Sequence, residues 1–263
     1  SGAATVWNWI EMWLQTERTE WRVHVTPLTA GLTSINIAGP RSRELLGRLA
    51  DGELRGQVVD PDAFTYMQVR TGTVAGVADC IVWRIGFTGE LSYEIHVPSG
   101  HAVHVWQQLL EQGADLGVKA FGLEAQRIMR LEKGHFIVGQ DTDGLSKAPV
   151  TGLNPLLKLD KDDWAGMPEV AWTLESGDHP VIVACQPDNG SVVPEEAAQI
   201  LRAGTTEIIG RITSSRMSPT LNRSICLAQV TKEFAAPGTS LEVLLVSGER
   251  ITATVQEHHA HFD

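Results

Sequence analysis

The chain has 263 residues, a net charge of −11 and a pI near 5.3, and 43% of its residues are hydrophobic. This is the composition of a globular protein with a sizeable core, and it lacks the Lys/Arg clusters that nucleic acids or anionic membranes require of a partner. There is no apolar run of about 18 residues, so we expect no transmembrane helix. The first residues do not resemble a signal peptide.

The cysteines point to a reducing compartment. Cys80, Cys185 and Cys226 are far apart in the sequence, and none belongs to a C-x-x-C pair. Neither a disulfide framework nor a zinc ribbon is therefore indicated. We expect reduced thiols and a cytoplasmic location.

The chain begins with an amphipathic, Trp-rich pattern over residues 5–16, which predicts a helix. Such a helix needs something to cover its apolar side, so we interpret residues 1–16 as the remnant of a truncated N-terminal region. Strands are predicted over 22–26 and 32–37, and a helix over 41–49.

A strand-rich stretch comes next, followed by two helices. The predicted strands are 67–70, 73–75, 80–85 and 91–97, and the helices are centred on 103–110 and 122–133. This order predicts an α+β domain over residues 17–150, with helices on one face of an antiparallel sheet.

Beyond residue 150 the pattern changes. Short β-type runs are separated by Gly, Pro, Asn and Asp, at 181–184, 207–213, 224–230, 240–246 and 250–255. We therefore predict a small C-terminal β-barrel domain over residues 151–263.

The stretch from Arg84 to Pro98 contains the first candidate site residue. Residues 91–97 alternate strictly, with Leu, Tyr, Ile and Val on one face and Ser, Glu94 and His on the other. A carboxylate on the polar face of a strand is usually solvated. The functional interpretation is that Glu94 accepts two parallel N–H donors from a heterocycle.

Two other polar clusters invite a metal interpretation. Asp141 and Asp143 lack the loop spacing and terminal Glu of a calcium site. His258, His259 and His261 lack supporting ligands, so we interpret them as a loose surface tail. We predict no metal site.

Several motifs together resemble the aminomethyltransferase family, which includes the T-protein of the glycine cleavage system. They are Phe87-Thr-Gly-Glu-Leu-Ser-Tyr-Glu-Ile, Leu131-Glu-Lys-Gly, Gly139-Gln-Asp-Thr-Asp and Gly210-Arg-Ile-Thr-Ser-Ser-Arg-Met-Ser-Pro, in this order along the chain. Within the family they are most similar to the folate-binding C-terminal region of the sarcosine oxidase alpha subunit. The iron–sulfur assembly branch has Cys where this chain has His135, so that branch is disfavoured.

The resemblance implies a site for tetrahydrofolate. By position in the motif, Glu94 would hold the pterin ring, and Phe87 and Met67 would be apolar walls. T-proteins place an Arg against the folate tail where this chain has Gln126, so Arg127 beside it becomes the candidate for the tail carboxylates.

The resemblance also implies a reaction. An N-methyl amine would be oxidised at a flavin site elsewhere, since this chain has no flavin-binding motif, and the one-carbon unit would be captured as 5,10-methylenetetrahydrofolate. The family's catalytic Asp lies in a region upstream of the matched motifs, so no residue of this chain is predicted to be catalytic. We expect other subunits, or the upstream part of a larger oxidase, as partners. The alternatives are a folate-dependent demethylase of a sulfonium or aryl methyl ether, and a non-catalytic folate-binding fragment or subunit.

Overall fold

The computed structural model describes residues 2–161 and 163–261. Two compact units are formed. The first contains residues up to 86 together with 90–120, and the second contains 87–89 together with the chain from 121 onwards. The domain boundary placed at residue 150 from the sequence stays a prediction.

The first unit begins with helix α1, Ala3–Thr16, which has no buried residue. The extended segment that follows contradicts one prediction. Residues 22–26 have the alternation of a strand but form no strand in the structure. Alternation sets only the local conformation, and a strand also needs a neighbour with which to exchange hydrogen bonds.

The core of the first unit lies between a four-stranded antiparallel sheet and three helices. The strands are β1 (Leu32–Ala38), β2 (Val69–Val74), β3 (Val77–Trp83) and β4 (Ser92–Pro98), in the order β1-β4-β3-β2. Helices α2 (Ser42–Leu49), α3 (Gly52–Val59) and α4 (Ala102–Gln112) each bury two or three leucines or valines in the core against this sheet: Leu45, Leu46, Leu49, Leu54, Val58, Val105 and Leu109. The predicted α+β arrangement with helices on one face is confirmed.

The second unit contains helices α5 (Leu123–Glu132) and α6 (Met167–Ser176) and a closed six-stranded barrel. The barrel order is β10-β5-β8-β7-β6-β9. Its strands are β5 (Val181–Pro187), β6 (Gln199–Leu201), β7 (Ile208–Ser218), β8 (Arg223–Val230), β9 (Ser240–Leu244) and β10 (Arg250–Val255). The predicted C-terminal barrel is confirmed.

All three cysteines are buried free thiols. Cys185 of β5 lies directly opposite Cys226 of β8, and both face the barrel interior. Across the described residues, no helix is long and apolar enough to cross a membrane.

Candidate functional site

Glu94 lies in the middle of the four-stranded sheet. Its strand, β4, pairs with β1 on one side and β3 on the other, so that Asn36 and Trp83 are its direct cross-strand neighbours. Tyr93 and Ile95, which precede and follow it, are fully buried in the core. Because successive side chains of a strand point to opposite faces, the Glu94 carboxylate points away from the core on a backbone that is fixed at both edges.

The Glu94 carboxylate is half-buried, with 33% of its side chain exposed. Within the described part of the chain, no group donates a hydrogen bond to it. Its nearest polar side-chain neighbour is His96, whose Nε2 lies 3.6 Å from Oε2 of Glu94. A carboxylate held in this way keeps its acceptor capacity for an external donor, such as the paired N–H groups of a heterocycle.

The sheet face around Glu94 offers an aromatic ring. Trp83, directly opposite Glu94, is 39% exposed. Its ring meets the ring of His96 edge-on, with centroids 6.3 Å apart. The side chain of Asn36 is already engaged, because its Nδ2 donates to the hydroxyl of Ser92 at 2.9 Å. A ligand on this face would therefore meet an acid, an imidazole and an indole.

Met67 is exposed and held in an unusual backbone conformation. Its φ is 68°, and 65% of the residue is exposed. Its amide donates to the carbonyl of Arg84 at 2.9 Å, which fixes the segment before β2 against the segment after β3. Left-handed φ costs a non-glycine residue about 1–2 kcal/mol. Strain of this kind clusters at ligand sites and supports the interpretation of Met67 as a pocket wall.

The phenolic group of Tyr93 is turned into the core beneath this face. Burial raises the pKa of Tyr93, although the nearby guanidinium groups of Arg43 and Arg84 act in the opposite direction. The phenol is therefore neutral at physiological pH, and it belongs to the support of β4, not to its ligand face.

Phe87 belongs to the second unit and is fixed by His135. Its carbonyl oxygen accepts a hydrogen bond from Nδ1 of His135 at 2.7 Å, which requires a proton on that nitrogen. The two rings stack with centroids 5.9 Å apart and an interplanar angle of 26°. The segment that follows α5 thus sets the orientation of Phe87.

Gln126 and Arg127 lie in the first turns of α5, where Gln126 is half-buried and Arg127 is exposed. Nη1 of Arg127 is 3.9 Å from the carboxylate of Glu124, whereas Arg216 donates to that carboxylate at 2.7 Å. An exposed ion pair as long as that between Arg127 and Glu124 contributes little to stability. The guanidinium of Arg127 therefore keeps the capacity to bind an anion.

The five predicted site residues are divided between the two units. Glu94 and Met67 belong to the first, and Phe87, Gln126 and Arg127 belong to the second. Within the first unit, Glu94 is joined by Trp83 and His96. The pocket as a whole, and the roles of Gln126 and Arg127 toward a folate tail, stay predictions.

Asp141, in the acidic segment after α5, is structural. Its side chain is fully buried, and Oδ2 accepts hydrogen bonds from Arg130 at 2.7 Å and from the amide of Ile137 at 2.8 Å. Oδ1 accepts from the hydroxyls of Thr213 and Ser214, both at 2.6 Å. Burial lowers the pKa of Arg130, which the charge of Asp141 opposes. A guanidinium stays protonated in proteins, so the two residues form a buried ion pair.

Asp143 has a different partner. Arg211 contacts its carboxylate at 2.6 Å and, with hydrogen bonds from Leu145 and Ser146, lowers the pKa of Asp143 to about 2. Among residues 2–161 and 163–261, no group of three or more His, Cys, Asp or Glu side chains is arranged to hold a metal ion.

The C-terminal histidine segment is docked, so the prediction of a loose surface tail is wrong. The amide of His261 donates to the carbonyl of Glu132 at 2.8 Å, and Nε2 of His259 lies 2.9 Å from the carbonyl of Ile182. Burial lowers the pKa of His261 to about 4. The close approach depends on Gly134, because a Cβ there would lie 2.2 Å from the backbone of His259.

Sequence reasoning did not identify Trp83 as a site residue. Its proximity to Glu94 comes from the pairing of β3 with β4, whose register depends on the turn between them and on the packing of both strands. The alternation of residues 91–97 placed His96 on the same face as Glu94, and this was the usable local signal.

Two family models match the chain. Residues 1–161 match the GCVT N-terminal domain, and residues 181–261 match the glycine cleavage T-protein C-terminal barrel domain.

Individual relatives fall into two groups. The sarcosine oxidase alpha subunit of Corynebacterium sp. (strain P-1) is 33% identical over 97% of this chain, which corresponds to 27% of that protein. An aminomethyltransferase of Halothermothrix orenii is 31% identical over 94% of this chain and 65% of its own length. The chain thus spans about a quarter of the first relative and just under two thirds of the second.

A crystal structure of the glycine cleavage system aminomethyltransferase T from Bartonella henselae shares the fold. The TM-score is 0.74 at 22% sequence identity, over 87% of this chain and 59% of that one.

Proposed function

This chain belongs to the glycine cleavage T-protein family of aminomethyltransferases, and on that premise we propose that it is a tetrahydrofolate-binding module of a sarcosine oxidase-type enzyme. In this proposal the module captures the one-carbon unit released from an oxidised N-methyl amine. The similarity to a sarcosine oxidase alpha subunit, 33% identical over 97% of this chain, supports the proposal.

The observation that carries the proposal is the Glu94 carboxylate, held on a central strand with its acceptor capacity unused by the described residues. The pyrimidine edge of a reduced pterin presents two adjacent N–H donors, and two carboxylate oxygens in one plane match that pattern. Trp83, in register with Glu94, adds an exposed aromatic surface beside it. The residues of this face fit the ligand.

Four of the five predicted side chains are assigned a task in this proposal. Glu94 binds and orients the ring edge, Met67 and Phe87 exclude water from the ring, and Arg127 binds the carboxylates of the folate tail. When bound, tetrahydrofolate supplies the amine nitrogens that take up the one-carbon unit. An apolar site with a few placed polar groups suits such a ligand.

The oxidation step is assigned to another part of the enzyme. This chain carries no flavin-binding motif, and we assign none of its residues a catalytic role. Because the match covers 27% of the alpha subunit of Corynebacterium sp., we propose that further chain or further subunits of the oxidase complete the reaction. The free thiols of the three cysteines agree with a cytoplasmic enzyme.

Isothermal titration calorimetry with folinic acid, a stable reduced folate, tests the proposal. The wild-type chain should bind, and Glu94→Ala should lose about 2 kcal/mol or more, because a charged hydrogen-bonded pair is removed. Glu111→Ala, which removes an exposed carboxylate from α4 of the same unit, is the matched control and should bind normally. Folinic acid that fails to bind the wild-type chain, or binds Glu94→Ala equally well, would contradict the proposal.

A second candidate is a non-catalytic folate-binding subunit that docks on a partner. It is favoured by α1, which has no buried residue and exposes Val6, Trp9 and Met12 by half or more. Size-exclusion chromatography of the chain tests this second hypothesis. Elution as a well-behaved monomer at high concentration would count against it.

A further inference from the structure

We propose that His96 is the positioning residue for Glu94. The inference rests on the proposed folate site and names a residue that sets its affinity. It begins from the contact between Nε2 of His96 and Oε2 of Glu94, at 3.6 Å, in side chains that are 27% and 33% exposed respectively.

The two residues are placed together by the strand itself. They are two positions apart on β4 and therefore share the face that points away from the core. The cross-strand neighbours of His96 are Ser34 on β1 and Ile81 on β3. Neither has an acidic side chain, so within this set the Glu94 carboxylate is the acidic group that the imidazole contacts.

His96 is itself supported. The ring of Trp83 packs edge-on against the imidazole at 6.3 Å, and Trp83 is paired in register with Glu94. His96 therefore contacts both Trp83 and Glu94 on one sheet face. A long glutamate side chain without such a neighbour would have to give up its rotamer freedom when a ligand binds.

The geometry leaves the ligand side of the carboxylate available. His96 approaches Oε2, and no described residue hydrogen-bonds to either oxygen of Glu94. A separation of 3.6 Å is longer than a hydrogen bond, and contacts of this kind commonly tighten when the ligand is bound. A donor on Nε2 would then fix the plane of the carboxylate while both oxygens still face the two N–H groups of the pterin.

Folinic acid titrations of the 263-residue chain test the role through a double-mutant cycle. His96→Ala should weaken binding about tenfold, and His96→Gln, whose amide can still donate near the position of Nε2, should restore affinity to within about threefold of the wild type. In the Glu94→Gln background, His96→Ala should cause no further loss, because a positioning residue acts through the residue that it positions. Equal loss in both backgrounds would overturn the inference.

A measurement without ligand separates this inference from the proposed function. The side-chain nitrogen resonances of His96 should shift in Glu94→Gln at constant pH, whereas those of the exposed His101 should not. If they shift but folinic acid does not bind the wild-type chain, the proposed function fails and the contact stands. If they do not shift, or if His96→Ala binds folinic acid as the wild type does, His96 does not position Glu94.

Discussion

At the level of single residues, the side-chain carboxylates of Asp141 and Glu94 differ in the number of hydrogen-bond donors around them. Asp141 is fully buried and accepts four hydrogen bonds, from Arg130, Ile137, Thr213 and Ser214. Glu94 is half-buried and meets an imidazole at 3.6 Å. A carboxylate whose acceptor positions are filled inside the protein has a structural role, and we propose that Glu94, whose positions are unused on a rigid strand, is a ligand group.

Removal of Asp141 should therefore destabilise the protein severely. Asp141→Ala leaves the buried guanidinium of Arg130 without its counter-charge, which costs about 3–5 kcal/mol. Urea denaturation should report this loss, and Glu207→Ala, which breaks an exposed pair with Arg202, should change stability far less. A loss for Asp141→Ala no larger than that of the surface variant would show that the buried pair is not structural.

His261 should make the stability of the protein decrease at acidic pH. Burial lowers its pKa from an ordinary 6.5 to about 4, so the folded state resists a proton that the unfolded chain accepts. The contribution is complete above about pH 6.5 and is lost as the pH falls toward 4. The free energy of unfolding should be measured against pH. Its fall at acidic pH should be absent in His261→Gln and present in His101→Gln. Identical pH profiles for His261→Gln and the wild type would contradict it.

At the level of elements, alternation predicted β4, and short runs of β-forming residues predicted five of the six barrel strands, whereas the three-residue β6 was not predicted. The same signal was misleading at 22–26, since nothing local says whether an extended segment has a neighbour. Helix α3 was missed because its Gly52, Gly56 and two valines are weak helix formers, and its helicity comes from packing Leu54 and Val58 into the core. The cross-strand pairing of Trp83 with Glu94 depends on register, which residues distant in sequence decide.

The docked C-terminal segment is the element that depends most on one position. Gly134 has a φ of +79°, and an added Cβ would lie 2.2 Å from the His259 backbone. Gly204 has a φ of +72°, and nothing lies within 4 Å of a Cβ added there. The variant Gly204→Ala therefore measures the cost of the backbone strain without a clash. Gly134→Ala should therefore lower thermal stability well beyond the roughly 1 kcal/mol expected for Gly204→Ala.

Truncation of the chain after Gln256 provides the internal check on that prediction. Without the docked segment, Gly134→Ala should cost no more than Gly204→Ala. If the two alanine variants differ equally in the full and truncated chains, the clash with His259 is not the cause.

At the level of the whole molecule, α1 is the part that folding uses least. No residue of α1 is fully buried and Ile10, Trp13 and Leu14 are half-buried, so deletion of residues 1–16 should change the free energy of unfolding by no more than about 2 kcal/mol. Chemical denaturation of the shortened chain measures this. A loss of several kcal/mol would mean that α1 belongs to the core of the first unit.

Among the predicted site residues, Glu94 lies in the sheet of the first unit, and Phe87 and Arg127 lie in the second unit. The family motifs named these residues from the sequence because they are short and local. The structure adds the side chains around Glu94 in the first unit, which no single motif contains: an indole and an imidazole brought to one face by two strands, β3 and β4.

The claim that Glu94 binds the pterin edge is tested most directly by comparing two ligands in one variant. Glu94→Gln keeps the shape of the side chain but places an amide donor where the pterin also donates, so its affinity for folinic acid should fall by tenfold or more, on the order of 1.4 kcal/mol. The affinity for p-aminobenzoylglutamate, which has the tail without the pterin, should not change. Unchanged binding of folinic acid, or an equal loss for both ligands, would contradict the assignment of Glu94 to the pterin.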